Sequence, residues 1–247
     1  MSNKWGVYST WNASRSNWNT PSSDESGNEA FSPLSISNLI HWFDADQLSG
    51  YSDDDNVTDM VDYSGNSNDL SQGTAANQAK YKINIAGDLP ALSFDSGDYY
   101  NITPLNIAQP FTVFMIIQPS SQQSCYLLCN YADDASSIRL NSFNFRMNIN
   151  LGTNSETPDN YYAADNLMMV DAIGNSTSST IYSSYPDDTD VGDGGTNQFT
   201  GLTFGSRGGF LFNAFHGYLM ELAIYSRDID ASDRTDMRAY LVDKWGV

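Results

Sequence analysis

From Ile36 onward the chain breaks into short apolar runs separated by Asn, Asp, Gly and Ser, the punctuation expected of β-strands and tight turns. LIHWFDA and ALSFD read as strands. FTVFMIIQP (111–119) is almost continuously apolar and rich in β-branched and aromatic residues, which predicts a central strand buried on both faces. SIRLNSFNFRMNINL (137–151) places apolar residues at 138 and 140, then at 143, 145, 147, 149 and 151. The slip in alternation between 140 and 143 predicts a hairpin turn at Asn141 and Ser142. NLMMVDAIG, STIYSSY, GLTFGS and GYLMELAIYSR (217–227) add further strands. Many short strands at near-regular spacing indicate an all-β, two-sheet antiparallel sandwich or jelly roll.

One helix stands out, at the C-terminus. In DIDASDRTDMRAYLVDKWGV, Asp230 is the expected N-cap and Asp233 makes the first turn acidic, favourable at the positive end of the helix dipole. Met237, Tyr240, Leu241 and Trp245 form its apolar stripe, Lys244 lies in its last turn, and Gly246 ends it.

Residues 1–35 differ from the rest. They are rich in Ser and Asn, without helix or strand periodicity, and carry Trp5, Trp11 and Trp18. Tryptophan is an enriched anchor at protein interfaces, so this segment reads as an extended arm whose indoles dock on a partner. The expected organisation is an anchoring arm over 1–35 and one sandwich domain over 36–247.

Composition sharpens this. The chain has 247 residues, of which 17% are charged, and its formal net charge is −19. Of 30 acidic residues only those at 25, 29, 156 and 221 are Glu. Asp favours turns and Glu favours helices, so the bias agrees with strands and loops. Such a charge repels phosphate backbones and argues against nucleic-acid binding. Cys125 and Cys129, four apart on one strand, point the same way about 13 Å apart, too far for a disulfide. No apolar run reaches membrane-spanning length. The N-terminal residues show no signal-peptide pattern.

LIHWFDADQLSG, DYSGNSNDL, LPALSFDSGDYY, QPFTVFMIIQP and the closing GYLMELAIYSRDIDASDRTDMRAYLVDKWG, in this order, resemble the concanavalin A-like lectin/glucanase superfamily. The likeness is to its laminin G-like jelly-roll branch, found in phage structural and bacterial surface proteins, and covers about residues 36–247. It implies two antiparallel sheets packed face to face, with a short helix closing one end.

Fold alone assigns no activity. Glucanases of the superfamily carry alternating acids on one strand, as in Glu-x-Asp-x-x-Glu, and Glu221 in LMELAIYS has no such companions. A non-enzymatic protein is therefore expected. His41, beside Trp42 and Phe43, reads as a packed residue, and no catalytic triad is visible.

DYSGNSNDL (62–70) has two readings. In one, Gly65 allows a positive φ and Asp62, Asn66 and Asn68 staple a tight turn. In the other, the resemblance implies a structural Ca²⁺ held by Asp62, Asn66 and Glu221. The acidic stretch YPDDTDVGDGG (185–195) reads as a solvated loop, with calcium or a basic partner surface as the alternative. Tyr99 and Tyr100 are candidates for stacking on sugar rings. The arm and the absent signal peptide point to a bacteriophage surface protein, a capsid decoration or fibre, made in the host cytoplasm. Its partners would be other virion proteins, in several copies, and a host glycan. The alternative is an extracellular carbohydrate-binding module of a bacterium.

Overall fold

A computed structural model of the protein describes residues 31–95, 97–183, 189–207 and 213–247. Trp5, Trp11 and Trp18 lie outside the described residues, as does much of the acidic stretch from 185.

The described residues contain sixteen strands. They are β1 (Leu39–Asp44), β2 (Asp59–Met60), β3 (Leu70–Ser71), β4 (Lys80–Ala86), β5 (Leu89–Phe94), β6 (Tyr100–Ile107), β7 (Phe111–Pro119) and β8 (Cys125–Cys129). After these come β9 (Ser137–Asn141), β10 (Arg146–Asn150), β11 (Asn154–Glu156), β12 (Met168–Gly174), β13 (Ser179–Ser183), β14 (Thr189–Gly192), β15 (Phe199–Phe204) and β16 (Gly217–Tyr225). Helix α1 (Ala231–Trp245) closes the chain. Two antiparallel sheets result. The first runs β14-β13-β12-β7-β16-β5-β4, with β1 also pairing with β16. The second runs β11-β10-β9-β8-β15-β6-β3-β2.

Side-chain alternation divides β7 between two cores. Phe111, Val113, Met115 and Ile117 enter the layer between the sheets. Phe114 and Ile116 point the other way, into a second cluster with Met237, Leu241 and Trp245 of α1. The continuous apolar run is thus the signature of a strand sandwiched between a sheet and a helix. Each fully buried large apolar side chain contributes roughly 1.5–3 kcal/mol. The helix ends as its sequence predicts. Asp230 accepts from the backbone N–H groups of Ser232 (3.0 Å) and Asp233 (2.9 Å), and Gly246 is left-handed at φ 74°. The packed region begins before Ile36, since Phe31 rests on Tyr240 and Tyr225 donates to the Pro33 carbonyl.

The cysteines differ from expectation in one respect. A bulge between Tyr126 and Leu128 turns Cys129 away from the intersheet core that Cys125 joins. Both are buried thiols, and Cys129 donates to the Asp133 carbonyl. Among the described residues, no helix is long and apolar enough to cross a membrane.

Asp171, 1% exposed on β12, has neither carboxylate oxygen hydrogen-bonded, with Arg234 Nε 3.4 Å away. Burial pushes its carboxyl up to about 7, against the pull of Arg234 and Arg238. The folded chain therefore holds a proton that the unfolded chain releases between 3.8 and about 7. That contribution is complete below the unfolded value and disappears as pH rises through about 7. In Asp171→Asn the gain in melting temperature on acidification across this window is expected to be shallower than in the wild type. An unchanged slope would show that Asp171 is ionised throughout.

Candidate functional site

Core packing on one face of the second sheet leaves the alternate positions for the other face. Ile138, Leu140, Met147 and Ile149 point inward, so Arg139, Arg146 and Asn148 face outward. Cross-strand register then aligns four polar residues from four strands. Tyr126 of β8 lies opposite Arg139 of β9, Arg139 opposite Asn148 of β10, and Asn148 opposite Glu156 of β11. The row is knitted side to side. Asn148 Nδ2 donates to Glu156 Oε1 at 2.6 Å, and Arg139 donates to Asn154 Oδ1 at 2.8 Å. Arg146 bridges Glu156 (2.8 Å) and Asp159 (2.6 Å). At the far end Tyr126 donates to Asp134 Oδ2 at 3.2 Å, and Arg207 pairs with the other oxygen of Asp134 at 3.0 Å.

Electrostatics keep this surface ionised. The hydrogen bond from Arg146 holds the Glu156 carboxyl below its usual range, against partial desolvation, with Asn154 and Asn148 assisting. Four buried polar atoms on this face nevertheless have no partner: Asn148 Oδ1, Arg139 Nε, Ser137 Oγ and Thr203 Oγ1. These atoms are buried, and Asn148 is itself 0% exposed, so the part of the face that solvent reaches is Arg139, Arg146, Asn154 and Glu156. Phe143, in the connection between β9 and β10, is 69% exposed.

The residues expected from sequence lie elsewhere. Tyr100 is a correction: it is fully buried, its hydroxyl donates to the Val57 carbonyl at 2.6 Å and accepts from Ala79, and no sugar reaches its ring. Tyr99 next to it is half-buried. The 62–70 loop is a stapled turn. Asp62 Oδ1 accepts from the backbone N–H groups of Trp42 and Ser64, and Oδ2 from the Ser64 hydroxyl and the Asn68 N–H, all at 2.8–2.9 Å. Asn66 and Asn68 donate to the carbonyls of Leu39 and Ile40, stitching the loop to β1. Burial would raise the Asp62 carboxyl, but these donors outweigh it and hold it low.

Glu221 belongs to a different network. It accepts from the indole N–H groups of Trp42 (2.9 Å) and Trp245 (2.6 Å), from Tyr240 (3.1 Å) and from Lys244 (3.2 Å). Asp62, Asn66 and Glu221 are therefore engaged separately, and the expected calcium set is not assembled. Among the described residues, no group of three or more His, Cys, Asp or Glu side chains is placed to hold a metal ion. His41 is fully buried, with Nδ1 2.9 Å from the Asn68 carbonyl, and burial depresses its pKa.

No protein-family model and no curated protein matches the sequence. Solved structures do match in fold. A GH54 α-L-arabinofuranosidase chain gives a TM-score of 0.60 at 13% identity, over 77% of this chain and 51% of its own. This protein thus spans about half of that enzyme chain. Domain 4 of AbnA, a GH43 extracellular arabinanase from Geobacillus stearothermophilus solved with arabinotriose, gives 0.57 at 14% identity, over 81% of this chain and 98% of the domain. A Trypanosoma rangeli sialidase solved with sialic acid gives 0.51 at 12% identity, over 91% of this chain and 36% of its own. The β-sandwich is common ground. These matches overturn the expectation of a non-enzymatic protein: chains of glycoside hydrolases carry this fold, so a missing acid pattern on one strand does not set this chain apart from them.

Proposed function

We propose that this protein binds carbohydrate through the outward face of its second sheet. The observation that carries the reading is the half-exposed group Arg139, Arg146 and Glu156, aligned by the pairing of β9, β10 and β11 and flanked by the exposed Asn154. The guanidinium groups of Arg139 and Arg146, the carboxamide of Asn154 and the carboxylate of Glu156 lie side by side and offer both donors and acceptors. Adjacent sugar hydroxyls need such a set, because each both donates and accepts. The exposed ring of Phe143 supplies an apolar face for the C–H side of a pyranose or furanose. The likeness to a domain solved with arabinotriose makes short arabino-oligosaccharides the first ligands to try. Residence on a bacteriophage particle is a finer reading drawn from the N-terminal segment, and glycan binding is proposed whichever body carries the module.

Titration calorimetry against arabinotriose and a panel of neutral and acidic oligosaccharides tests the proposal. Binding is expected for at least one sugar, weakened about tenfold or more in Arg139→Ala, as for loss of a charge-assisted hydrogen bond. Phe143→Ala is expected to weaken the same ligand. No binding across the panel, or full binding by Arg139→Ala, would overturn the assignment.

A further inference from the structure

The first sheet and α1 enclose a second group of reactive side chains, remote in sequence and unused by the carbohydrate reading. Asp44 and Glu221 lie directly opposite each other on β1 and β16. Lys244 of α1 reaches between them, hydrogen-bonded to Asp44 Oδ2 and 3.2 Å from Glu221 Oε2. All three side chains are sealed from solvent, at 1%, 0% and 1% exposure for Lys244, Asp44 and Glu221. Indoles of Trp42 and Trp245 and the ring of Tyr240 wall the group.

We propose that Lys244 and Asp44 condense to an intramolecular isopeptide bond, with Glu221 as the proton carrier. Four features of the geometry favour it. An Nζ hydrogen-bonded to a carboxylate oxygen lies close to the roughly 3–3.5 Å near-attack range from the carboxyl carbon. The Asp44 carboxyl is polarised by the Asp46 backbone N–H on Oδ1 (3.0 Å), where the tetrahedral oxyanion forms, and by the Gln47 carboxamide on Oδ2 (3.0 Å), the oxygen that departs. Tyr240 accepts from Lys244 at 3.2 Å and donates to Glu221 at 3.1 Å, a relay between nucleophile and proton carrier. Exclusion of water protects the amide once made.

The reaction balances without a co-reactant. A proton leaves the Lys244 ammonium for Glu221 and passes to the Asp44 carboxyl, leaving a neutral amine beside a neutral acid. Nζ attacks Cγ of Asp44 and the Nζ–Cγ bond forms. A second Nζ proton moves through Glu221 to Oδ2, the Cγ–Oδ2 bond breaks, and one water departs while Glu221 ends as it began. Burial pushes the Glu221 carboxyl above its usual range, against the pull of Lys244, which eases its taking and returning a proton. Lys244 also lines a groove with Leu89, Gln118 and Trp245, and the proposed reaction releases its water on that side.

Intact-mass spectrometry of the denatured full chain, followed by peptide mapping, tests the bond. The wild type is expected to weigh one water less than its processed sequence, with the peptides containing Asp44 and Lys244 recovered joined. Glu221→Gln and Lys244→Arg are expected to show no mass loss beyond the substitution. Separate Asp44 and Lys244 peptides from the wild type would overturn the proposal and leave an ion triad, whether or not either variant folds. A water loss that mapping places elsewhere would overturn it equally.

Discussion

Lys244→Ala is expected to lower stability by about 3–5 kcal/mol, because it strands Asp44 and Glu221 as two buried carboxylates facing each other. Burial alone would pull the Lys244 pKa down, yet Asp44 and Glu221 outweigh it and raise it, so until any bond forms the ammonium is the charge that holds the pair. Its removal leaves like charges without a counter-ion in a medium where they are poorly screened. For a domain of this size the loss corresponds to about 10 °C or more in melting temperature. An amide at the same place would add to it. Adding Asp44→Asn is expected to recover part of the stability by deleting one stranded charge. Calorimetric melting of the single and double variants checks both expectations. A Lys244→Ala protein that melts within a degree or two of wild type would mean that water reaches the triad.

Phe94→Ala is expected to cost about 3–5 kcal/mol, for a different reason. Phe94 is 1% exposed on β5 of the first sheet. Its ring packs edge-on against Tyr100 of β6 (5.8 Å) and Phe204 of β15 (5.1 Å), both in the second sheet, and tilts on Phe215 at 5.9 Å. Truncation opens a cavity at the point where four rings tie the two sheets together. Collapse is resisted because Phe204 and Phe215 already pack on each other at 6.1 Å. Urea denaturation is expected to show a lower midpoint with an unchanged slope, since the surface exposed on unfolding hardly changes. A stability loss under about 1 kcal/mol would indicate that the sheets close over the vacancy.

The proposed carbohydrate surface and the expected sugar-stacking residues differ for a reason visible in SIRLNSFNFRMNINL. Its apolar positions spell out a hairpin, and β9 and β10 are that hairpin. The polar positions between them, Arg139, Arg146 and Asn148, carry the signal for the outward face, but polar residues on a half-exposed strand are too common to mark a site. Tyr99 and Tyr100 stand out as paired aromatics. On a strand, adjacent residues face opposite ways, so at least one of the two was bound to turn inward.

By itself the sequence determined what is local. Apolar alternation set the strands, a continuous apolar run marked β7 as central, and capping residues bounded α1, because each depends on φ/ψ preference and on which side of its own element a residue faces. The Asx residues of the 62–70 loop likewise announced a turn, since their donors and acceptors are nearby backbone. Only the tertiary structure decided which residues meet. Tyr126, Arg139, Asn148 and Glu156 form a row only because three pairings share one register, and a one-residue slip would send them to the other face. Asp44, Glu221 and Lys244 come together from opposite ends of the domain. In the sequence, Lys244 is a last-turn cation suited to the helix dipole. Buried beneath Trp42 and Trp245, it is set between the Asp44 and Glu221 carboxyl groups, because the low-dielectric interior makes a partner obligatory where solvent would have made it optional.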